Sequence, residues 1–328
     1  MRFLTILVAL ISTLYCKAYA QSDVSTLAFV GDVMLAETEA TGKFLAAGGD
    51  PFTHVRRMLS IANLRVANFE SSAGTRGRAD LKKPFSFRAS QQALLSFSSV
   101  FEVAGLANNH VGDYGREDLV ETIDSLNRAG SITFGGGRNA AQAHRAAIFD
   151  LKGVKVALLG YLDFFPRWFT ATSNMPGVAW LDEDQVALDI RQARIDHADV
   201  VIIVPHWGVE HELMANSHQR RLARAMIDAG ADAIIGGHPH VVQDFEIYKD
   251  KPIIYSLGNF VFDGFEDDDS NTGWVLFVKL DKSGVIEIKT KPIQIDSNGS
   301  PWPQSQKRGP CWYKSQINMT LCSILDSE

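Results

Sequence analysis

The chain has 328 residues, of which 46% are hydrophobic and 21% charged, and its formal net charge is -6. These proportions are typical of globular proteins and exclude disorder or a fibrous repeat over the whole chain. The acidic balance argues against nucleic acid as a partner, because nucleic-acid binding needs a basic field. The 3 cysteines are too few for a disulfide scaffold, and no Cys-x-x-Cys pair is present.

The first 20 residues have the pattern of a secretory signal peptide. Arg2 precedes a mainly apolar run over residues 3–15, and residues 18–20 (Ala-Tyr-Ala) supply a small-x-small cleavage site. The run is shorter than the roughly 18 apolar residues of a spanning helix. We therefore predict export to the periplasm or the cell exterior, with a mature chain that begins at Gln21. An uncleaved anchor, which would keep the protein at the membrane, is the alternative.

Cys311 and Cys322 are the cysteines that remain after this cleavage. In an oxidising compartment we expect them to form a disulfide. The alternative is a pair of buried or free thiols.

Short apolar runs rich in β-branched residues alternate with amphipathic helical patterns along the chain. In chain order the predicted strands cover residues 26–30, 64–67, 103–107, 154–160, 200–204 and 233–235. The predicted helices between them cover residues 117–128, 183–196 and 217–229. This alternation predicts an α/β fold.

Four more strands follow without intervening helices, over residues 243–248, 252–256, 273–280 and 285–291. We expect these strands to pair antiparallel at the C-terminal end. The simplest division is one catalytic domain over residues 21–296 and a C-terminal extension over residues 297–328. The extension begins with a loop-like stretch over residues 297–303 and contains the two cysteines.

Polar residues follow five of the predicted strands, at the point where each strand ends. They are Asp32, Asn68 with Glu70, Asn109 with His110, His206, and the pair His238 and His240. The carboxyl ends of parallel strands meet at one edge of a sheet, so these side chains should converge. Taken alone, Asp32 is more simply explained by a turn or cap, Asn109 by an Asx turn and His206 by a hydrogen-bonded core histidine. Two imidazoles as close as His238 and His240 suit a metal better than packing. Together, oxygen and nitrogen ligands without cysteine favour Mn, Fe, Zn or Mg, and their number favours two divalent ions.

The same motifs resemble the calcineurin-like metallophosphoesterase superfamily, and more narrowly the CapA/PgsA family of bacterial capsule and poly-γ-glutamate synthesis proteins. The matching stretches are FVGDVM (29–34), ANFES (67–71), ANNH (107–110), HWGVE (206–210), GHPHVVQ (237–243) and YSLGNF (255–260). The resemblance spans most of the mature chain. It implies a four-layer α/β sandwich in which two facing mixed sheets are flanked by helices.

The resemblance also implies roles for the converging residues. The implied metal ligands are Asp32, Glu70 (or, less well matched, Asn68), Asn109, His206, His238 and His240, and His110 is implied to act near the leaving group. We expect Asp32 and His240 at one ion, Asn109, His206 and His238 at the other, and Glu70 between them.

Two departures from the superfamily pattern concern the metal centre. Met34 replaces the histidine of the first motif, and Asn68-x-Glu70 replaces the Gly-Asp of the second. We therefore expect the ion at Asp32 to be the weaker one, unless a nearby residue such as Glu37 supplies the missing ligand.

Three further residues are candidates for substrate binding. Arg88 could reach a carboxylate or phosphate, and Trp207 could stack on a substrate, although packing beside a metal loop is the alternative. Glu210 could bind substrate, fix an imidazole tautomer or be an exposed loop acid. The basic stretch that contains Arg76 could bind an anionic polymer or be a solvated loop.

The resulting functional hypothesis is an exported CapA-like protein in capsule or poly-γ-glutamate synthesis that acts as a metal-dependent hydrolase. Its substrate would be an anionic polymer or a phosphoester, and cleavage of γ-glutamyl amide bonds is an open alternative chemistry. The rival hypothesis is a non-catalytic envelope component that presents the loops around Trp207 and Arg76 to an anionic polymer or a membrane-bound synthase.

Overall fold

The computed structural model of the chain describes residues 24–36, 38, 40–80, 83–164 and 167–322. The predicted signal peptide, the predicted N-terminus at Gln21 and the substitute ligand Glu37 lie outside the described residues. Among the residues described, no helix is long and apolar enough to cross a membrane. Export therefore stays a prediction.

The described chain alternates strands and helices in its first two thirds and is mainly β-strand after that. The strands are β1 Ser25–Val33, β2 Leu64–Phe69, β3 Val103–Gly105, β4 Ile132–Phe134, β5 Gly136–Gly137, β6 Ala147–Leu151, β7 Val154–Asp163, β8 Gly177–Val178, β9 Val200–Trp207, β10 Ala233–Ile235, β11 Phe245–Tyr248, β12 Lys251–Ile254, β13 Asn259–Val261, β14 Thr272–Asp281, β15 Gly284–Ile295, β16 Pro301–Pro303, β17 Gly309–Tyr313 and β18 Thr320–Cys322. The helices are α1 Ala40–Ala46, α2 Arg56–Leu59, α3 Gln91–Ser98, α4 Arg116–Ala129, α5 Ala140–Ala143, α6 Glu183–Ile195 and α7 Ser217–Asp228, with a 3-10 turn at Arg167–Phe169.

Two large mixed sheets contain all of these strands except β5 and β8, which pair with each other. Within the described ranges, one sheet has 10 strands, in the order β18-β17-β15-β14-β1-β2-β3-β4, with β13 also paired to β1 and β16 to β15. The other has 6 strands, in the order β11-β12-β10-β9-β7-β6. Neighbours β1 to β4 are parallel, as are β7, β9, β10 and β12. The predicted α/β class is confirmed, and β11/β12 and β14/β15 pair antiparallel as expected.

Three hydrophobic layers hold the sheets and helices together. One lies between the ten-stranded sheet and helices α1 to α4, a second between the two sheets, and a third between the six-stranded sheet and helices α5 to α7. In β1, Leu27 and Phe29 face the other sheet, whereas Ala28 and Val30 face the helices. Because successive strand residues point to opposite faces, this alternation buries both sides of the strand. The result is the predicted four-layer sandwich.

Local sequence signals set the helix ends. The side chain of Asp182 accepts a hydrogen bond from the backbone N–H of Gln185 and caps α6. Asn216 and Gln219 cap each other at the start of α7. At the end of α4, Gly130 adopts φ 102, a left-handed conformation that glycine adopts without strain.

The C-terminal extension joins the larger sheet. Strand β17 pairs with β15, β18 pairs with β17, and Pro301–Pro303 pairs with the end of β15. The loop-like prediction for residues 297–303 was therefore wrong over β16. The backbone amide of proline cannot donate to a ladder, so a Pro-Trp-Pro sequence is typical of a loop although it can lie along a sheet edge. The Cα atoms of Cys311 and Cys322 lie 5.8 Å apart, within the span of a disulfide. The disulfide itself remains a prediction.

Candidate metal centre

The centre lies where the parallel strands of both sheets end. Asp32 belongs to β1 and is fully buried. The pairing register of β1 shifts on both sides at this point, between Val30 and Asp32 against β2 and between Asp32 and Val33 against β13. The shift changes the alternation, because Val30 and Val33 both face the helices although they are three residues apart. The irregularity therefore turns Asp32 toward the space between the sheets.

Glycines allow the backbone to close around this carboxylate. A Cβ atom at Gly31 would lie 1.8 Å from the carbonyl oxygen of Gly258, and a Cβ atom at Gly237 would lie 3.0 Å from Oδ1 of Asp32. The first contact is a clash and the second is tighter than ordinary packing. Both positions therefore favour glycine.

The predicted ligands converge in two groups. Ligand atoms of Asp32, Glu70 and His206 lie within 4.8 Å of one another. Ligand atoms of Glu210, His238 and His240 do the same.

Two contacts link these groups. His240 Nδ1 is 3.5 Å from Asp32 Oδ2, and His240 Nε2 is 3.8 Å from Glu70 Oε1. Asn109 joins the first group through His206, whose Nε2 lies 2.8 Å from Asn109 Oδ1.

We expected His206 with His238, and Asp32 with His240. Both pairs are adjacent: the ring centroids of His206 and His238 lie 4.8 Å apart, and His240 Nδ1 lies 3.5 Å from Asp32 Oδ2. The contact from residue 238 to Asp32 is made by the backbone N–H of His238, at 3.3 Å, and not by its ring. His206, on the inter-sheet face of β9, lies with Asp32 and Glu70 as well as beside His238, so it stands between the two groups.

Two buried atoms in the centre lack partners. Glu70 Oε1 and His238 Nδ1 have no hydrogen bond among the residues that the structure describes. Such atoms are costly unless something else satisfies them. A divalent cation would satisfy both, because carboxylate oxygen and neutral imidazole nitrogen are good ligands for it. The residues present therefore fit a metal ion.

The pKa shifts of His206, His238 and Glu70 agree with a metal-binding role for these side chains. Burial lowers the pKa of His206 well below its ordinary value, and the nearby His238 lowers it further. Burial likewise lowers the pKa of His238, with His240 as a second cause. Both rings are therefore neutral and keep a lone pair. Burial and the charge of Asp32 raise the pKa of Glu70 well above its ordinary value, a cost that a bound cation would offset.

Asn259 fixes which nitrogen of His240 can bind a metal. Its Nδ2 atom donates to the carbonyl oxygens of His240, at 3.2 Å, and Ser270, at 2.9 Å, so its oxygen must face the other way. That oxygen lies 2.9 Å from His240 Nδ1, which therefore carries the proton. The lone pair is left on Nε2, the atom nearest Glu70.

His110 stands beside this centre with its own orienting partner. Its Nδ1 lies 2.8 Å from Asp113 Oδ2, and Asp113 is fully buried. Asp113 also pairs with Lys83, whose Nζ donates to the backbone oxygen of Asn109 at 2.7 Å. Burial lowers the pKa of His110, and the carboxylate of Asp113 works against that shift.

A cleft of about 270 Å³ opens from the centre. Asn109, His110 and Glu210 line it on the side of the centre. Its remaining walls are mostly apolar and aromatic, with two cationic residues: Lys83, Pro84, Phe85, Asn108, Leu162, Phe164, Arg167, Trp168, Phe169, Thr170 and Trp180. Arg167 lies over the ring of Trp180, 4.4 Å from its centroid. The cleft therefore offers flat apolar surface with positive charge close to it.

The family description "Bacterial capsule synthesis protein PGA_cap" matches residues 26–264 of this chain. The chain belongs to the PGA_cap family. The capsule biosynthesis protein CapA of Bacillus anthracis is 32% identical over 295 residues, which cover 87% of this chain and 71% of that protein. The PGA biosynthesis protein CapA of Bacillus subtilis is 32% identical over 282 residues, which cover 85% of this chain and 73% of that protein.

A solved structure adds a comparison of fold. The 5'-nucleotidase precursor from Thermus thermophilus superposes with a TM-score of 0.50 and 14% identity, covering 85% of this chain and 56% of the other. At this identity the likeness concerns the fold alone, and it agrees with the metallophosphoesterase-type sandwich of this PGA_cap member.

Two of the predicted substrate residues are engaged elsewhere. Trp207 is fully buried, and its Nε1 donates to the backbone oxygen of Tyr255 at 2.9 Å. Stacking on a substrate was therefore the wrong interpretation. Arg88 donates to Asp118 Oδ1 at 2.8 Å, and its guanidinium lies 3.6 Å from the ring centroid of Tyr114. The described lining of the cleft includes neither residue, so the prediction for Arg88 is not supported either.

Glu210 is exposed and lines the cleft, and its carboxylate lies with His238 and His240. From the sequence we expected Glu210 to be a substrate contact, a tautomer-fixing acceptor or a loop acid, and we did not expect it among the candidate metal ligands. Asp113 and Asn259 were not predicted either. Asp113 follows His110 by three residues and Asn259 lies within the matched YSLGNF motif, so both had a weak signal.

Proposed function

We propose that this PGA_cap protein is a metal-dependent hydrolase that acts on an anionic envelope polymer. The observation that supports this most directly is that two buried atoms of the centre, Glu70 Oε1 and His238 Nδ1, lack partners among the described residues, while Glu210 of the same centre lines an open cleft. The named relatives are capsule and PGA biosynthesis proteins. A role in the same kind of polymer synthesis, after export, is part of the proposal.

A divalent ion held by the histidines and carboxylates of the centre would polarise the scissile bond and activate water. The chain itself orients the groups around that position. Asn259 holds His240 with its Nε2 lone pair toward Glu70, and the left-handed turn at His238 places its N–H on Asp32.

His110 is the proton-transfer group of the proposal. Asp113 accepts from its Nδ1, which leaves Nε2 as the nitrogen available for transfer to the cleft. The buried carboxylate of Asp113 stabilises the imidazolium that forms during that transfer. Lys83 binds both the carboxylate of Asp113 and the backbone oxygen of Asn109. One hydrogen-bond network therefore holds the acid–base group, His110, and the proposed metal ligand, Asn109.

The cleft supports the choice of substrate class. An anionic polymer with carboxylates on short methylene spacers presents both charge and apolar surface. Arg167 supplies positive charge, and the rings of Phe164, Phe169 and Trp180 supply apolar walls.

The test is turnover by the metal-loaded protein with two substrates: a γ-linked glutamate oligomer, followed by release of free amines, and a nitrophenyl phosphodiester, followed by absorbance. His110→Ala is the matched control, because it should keep the metal and lose most of the rate. Turnover of the oligomer alone would identify amide cleavage, and turnover of the diester would identify phosphoester cleavage. Polymer binding without turnover in either assay would overturn the hydrolase in favour of the non-catalytic envelope component.

A further inference from the structure

The two ligand groups of the centre differ in what lies between their atoms. In the group of Asp32, Glu70 and His206, the side-chain nitrogen of Asn68 occupies the middle. It is 2.8 Å from Asp32 Oδ1, 2.9 Å from Glu70 Oε2 and 3.4 Å from His206 Nδ1. From the sequence, Asn68 matched the position of the bridging ligand less well than Glu70.

The orientation of this amide depends first on its neighbour Asn108. Asn108 Nδ2 donates to the backbone oxygen of Phe69 at 2.9 Å. Asn108 Oδ1 accepts from the backbone N–H groups of His110, at 3.0 Å, and Val111, at 2.8 Å. Because backbone groups have fixed roles as donors or acceptors, the oxygen and nitrogen of Asn108 cannot be exchanged.

Asn108 then fixes Asn68. The second hydrogen of Asn108 Nδ2 is donated to Asn68 Oδ1 at 2.9 Å. The oxygen of Asn68 therefore points away from the centre, and its two N–H bonds point at Asp32 and Glu70. An amide nitrogen has hydrogens to give but no lone pair for a metal. Asn68 gives the two carboxylates the positive dipole that a cation would otherwise supply.

The second group has no such donor between its atoms in the described structure. His238 Nδ1 is unpartnered there, His240 has its lone pair on Nε2, and Glu210 faces the open cleft. Glu70 Oε1, the oxygen that Asn68 does not reach, is also unpartnered among the described residues and lies 3.8 Å from His240 Nε2. His238 and His240 are 1% and 4% exposed, so these lone pairs have little access to bulk water. Met34 does not add a ligand to the first group, because its side chain is buried in the hydrophobic layer between the larger sheet and the helices.

We propose that the centre binds one divalent ion per chain, held by Glu210, His238, His240 and Oε1 of Glu70, and that Asn68 keeps a second ion out of the space between Asp32, Glu70 Oε2 and His206. The proposal rests on the metal centre of the proposed function. It replaces the expected pair of ions by one ion and one amide, and it assigns Glu210 as a ligand.

The experiment measures ions per chain. Purified protein is saturated with Mn²⁺, freed of excess by gel filtration, and examined by elemental analysis and electron paramagnetic resonance. We expect one Mn²⁺ per wild-type chain with the spectrum of an isolated ion. Asn68→Asp replaces the donating amide by a third carboxylate, and it should raise the content to two ions that are magnetically coupled, as expected for ions roughly 4 Å apart.

Asn63→Asp is the matched control. Asn63 lies just before β2, at the end opposite the centre, and its side-chain oxygen accepts from the N–H of Thr26 at 2.9 Å. An aspartate can accept the same hydrogen bond, so the control should keep one ion. Glu210→Gln should weaken Mn²⁺ binding on the order of 100-fold, since a lost ligand should cost at least as much as a lost orienting partner.

The outcomes separate this proposal from the proposed function. Two coupled ions in the wild-type chain would overturn the single-ion assignment and leave the hydrolase intact, whereas no bound metal would overturn both. An Asn68→Asp variant that still binds one ion would show that Asn68 is not what excludes the second. The wild-type count decides the stoichiometry even if the variant does not fold.

Discussion

The metal centre and the cleft beside it are built in different ways. The centre takes its side chains from the ends of β1, β2, β9 and β10, and main-chain pairing holds those ends on both sides. The cleft takes most of its walls from connecting segments, including the stretch before α3 and the 3-10 turn after β7. Strand ends fix positions closely, while loops tolerate change. We infer that the centre sets the chemistry and the cleft selects the substrate.

The largest effect is expected from His238→Ala, which removes an imidazole with an unpartnered nitrogen from the centre. Bound metal, measured by elemental analysis, should fall below about a tenth of the wild-type content, and hydrolysis should be lost with it. His197→Ala is the control, because His197 is exposed and shares the left-handed backbone, with φ 68 against φ 98 at His238. Unchanged metal content in His238→Ala would contradict the metal centre itself.

A second large effect is expected where centre and cleft meet. His110→Ala should lower kcat roughly 10²- to 10⁴-fold, the usual contribution of a general acid or base, and leave metal content unchanged. Asp113→Asn should lower kcat as well, because it removes the charge that stabilises the imidazolium. A loss of metal equal to the loss of rate in either variant would assign His110 to the metal and not to proton transfer.

A smaller effect is expected from the residue that orients His240. Asn259→Leu should weaken metal binding about 10- to 100-fold, as is usual for the loss of an orienting partner. Asn259→Asp keeps an oxygen for His240 but loses the donors to two backbone carbonyls. If metal affinity, measured by titration calorimetry, fell equally in both variants, the role of Asn259 would be support of the loop and not choice of the tautomer.

The smallest effect is expected in the cleft. Trp168 is 46% exposed in its wall, and Trp168→Ala should raise KM roughly three- to tenfold with kcat and metal content unchanged. Trp302→Ala is a matched control, because Trp302 is 43% exposed but lies on β16, stacked on His54. A change in kcat without a change in KM would place Trp168 with the chemistry and remove the division between the two regions.

Much of the centre could be predicted from the sequence because most of its residues directly follow a strand. Apolar strands followed by polar residues place Asp32 at the end of a strand in the larger sheet, and His206 and His238 at the ends of strands in the smaller one. That two facing sheets bring these ends together was implied by the family resemblance and not by the strand pattern. Which ligands share an ion could not be predicted in this way. That depends on the irregularity in β1 and on the backbone N–H of His238, neither of which has a sequence signal of its own.

Trp207 shows how a small boundary error changes a functional prediction. The strand was predicted to end at Val204, which would place Trp207 in a loop. In the structure β9 continues to Trp207, so its alternation continues too. Ile203 and Trp207 point to the helices, and His206 points between the sheets. Asn68 could not be resolved from sequence for a different reason, since its role depends on which way its amide faces.

The backbone conformation at His238 and His240 has a consequence for motion. Both residues have positive φ, 98 and 59, and such a conformation costs a non-glycine residue of order 1–3 kcal/mol. A bound metal that needs both imidazole rings in place can offset that cost. Without the metal, the turn should relax toward backbone conformations of lower energy. Amide hydrogen exchange over residues 236–242 should therefore quicken when the metal is removed by a chelator, while exchange in the interior of β9 stays slow. The loop would act as a local reporter of metal occupancy, readable by mass spectrometry without any substrate.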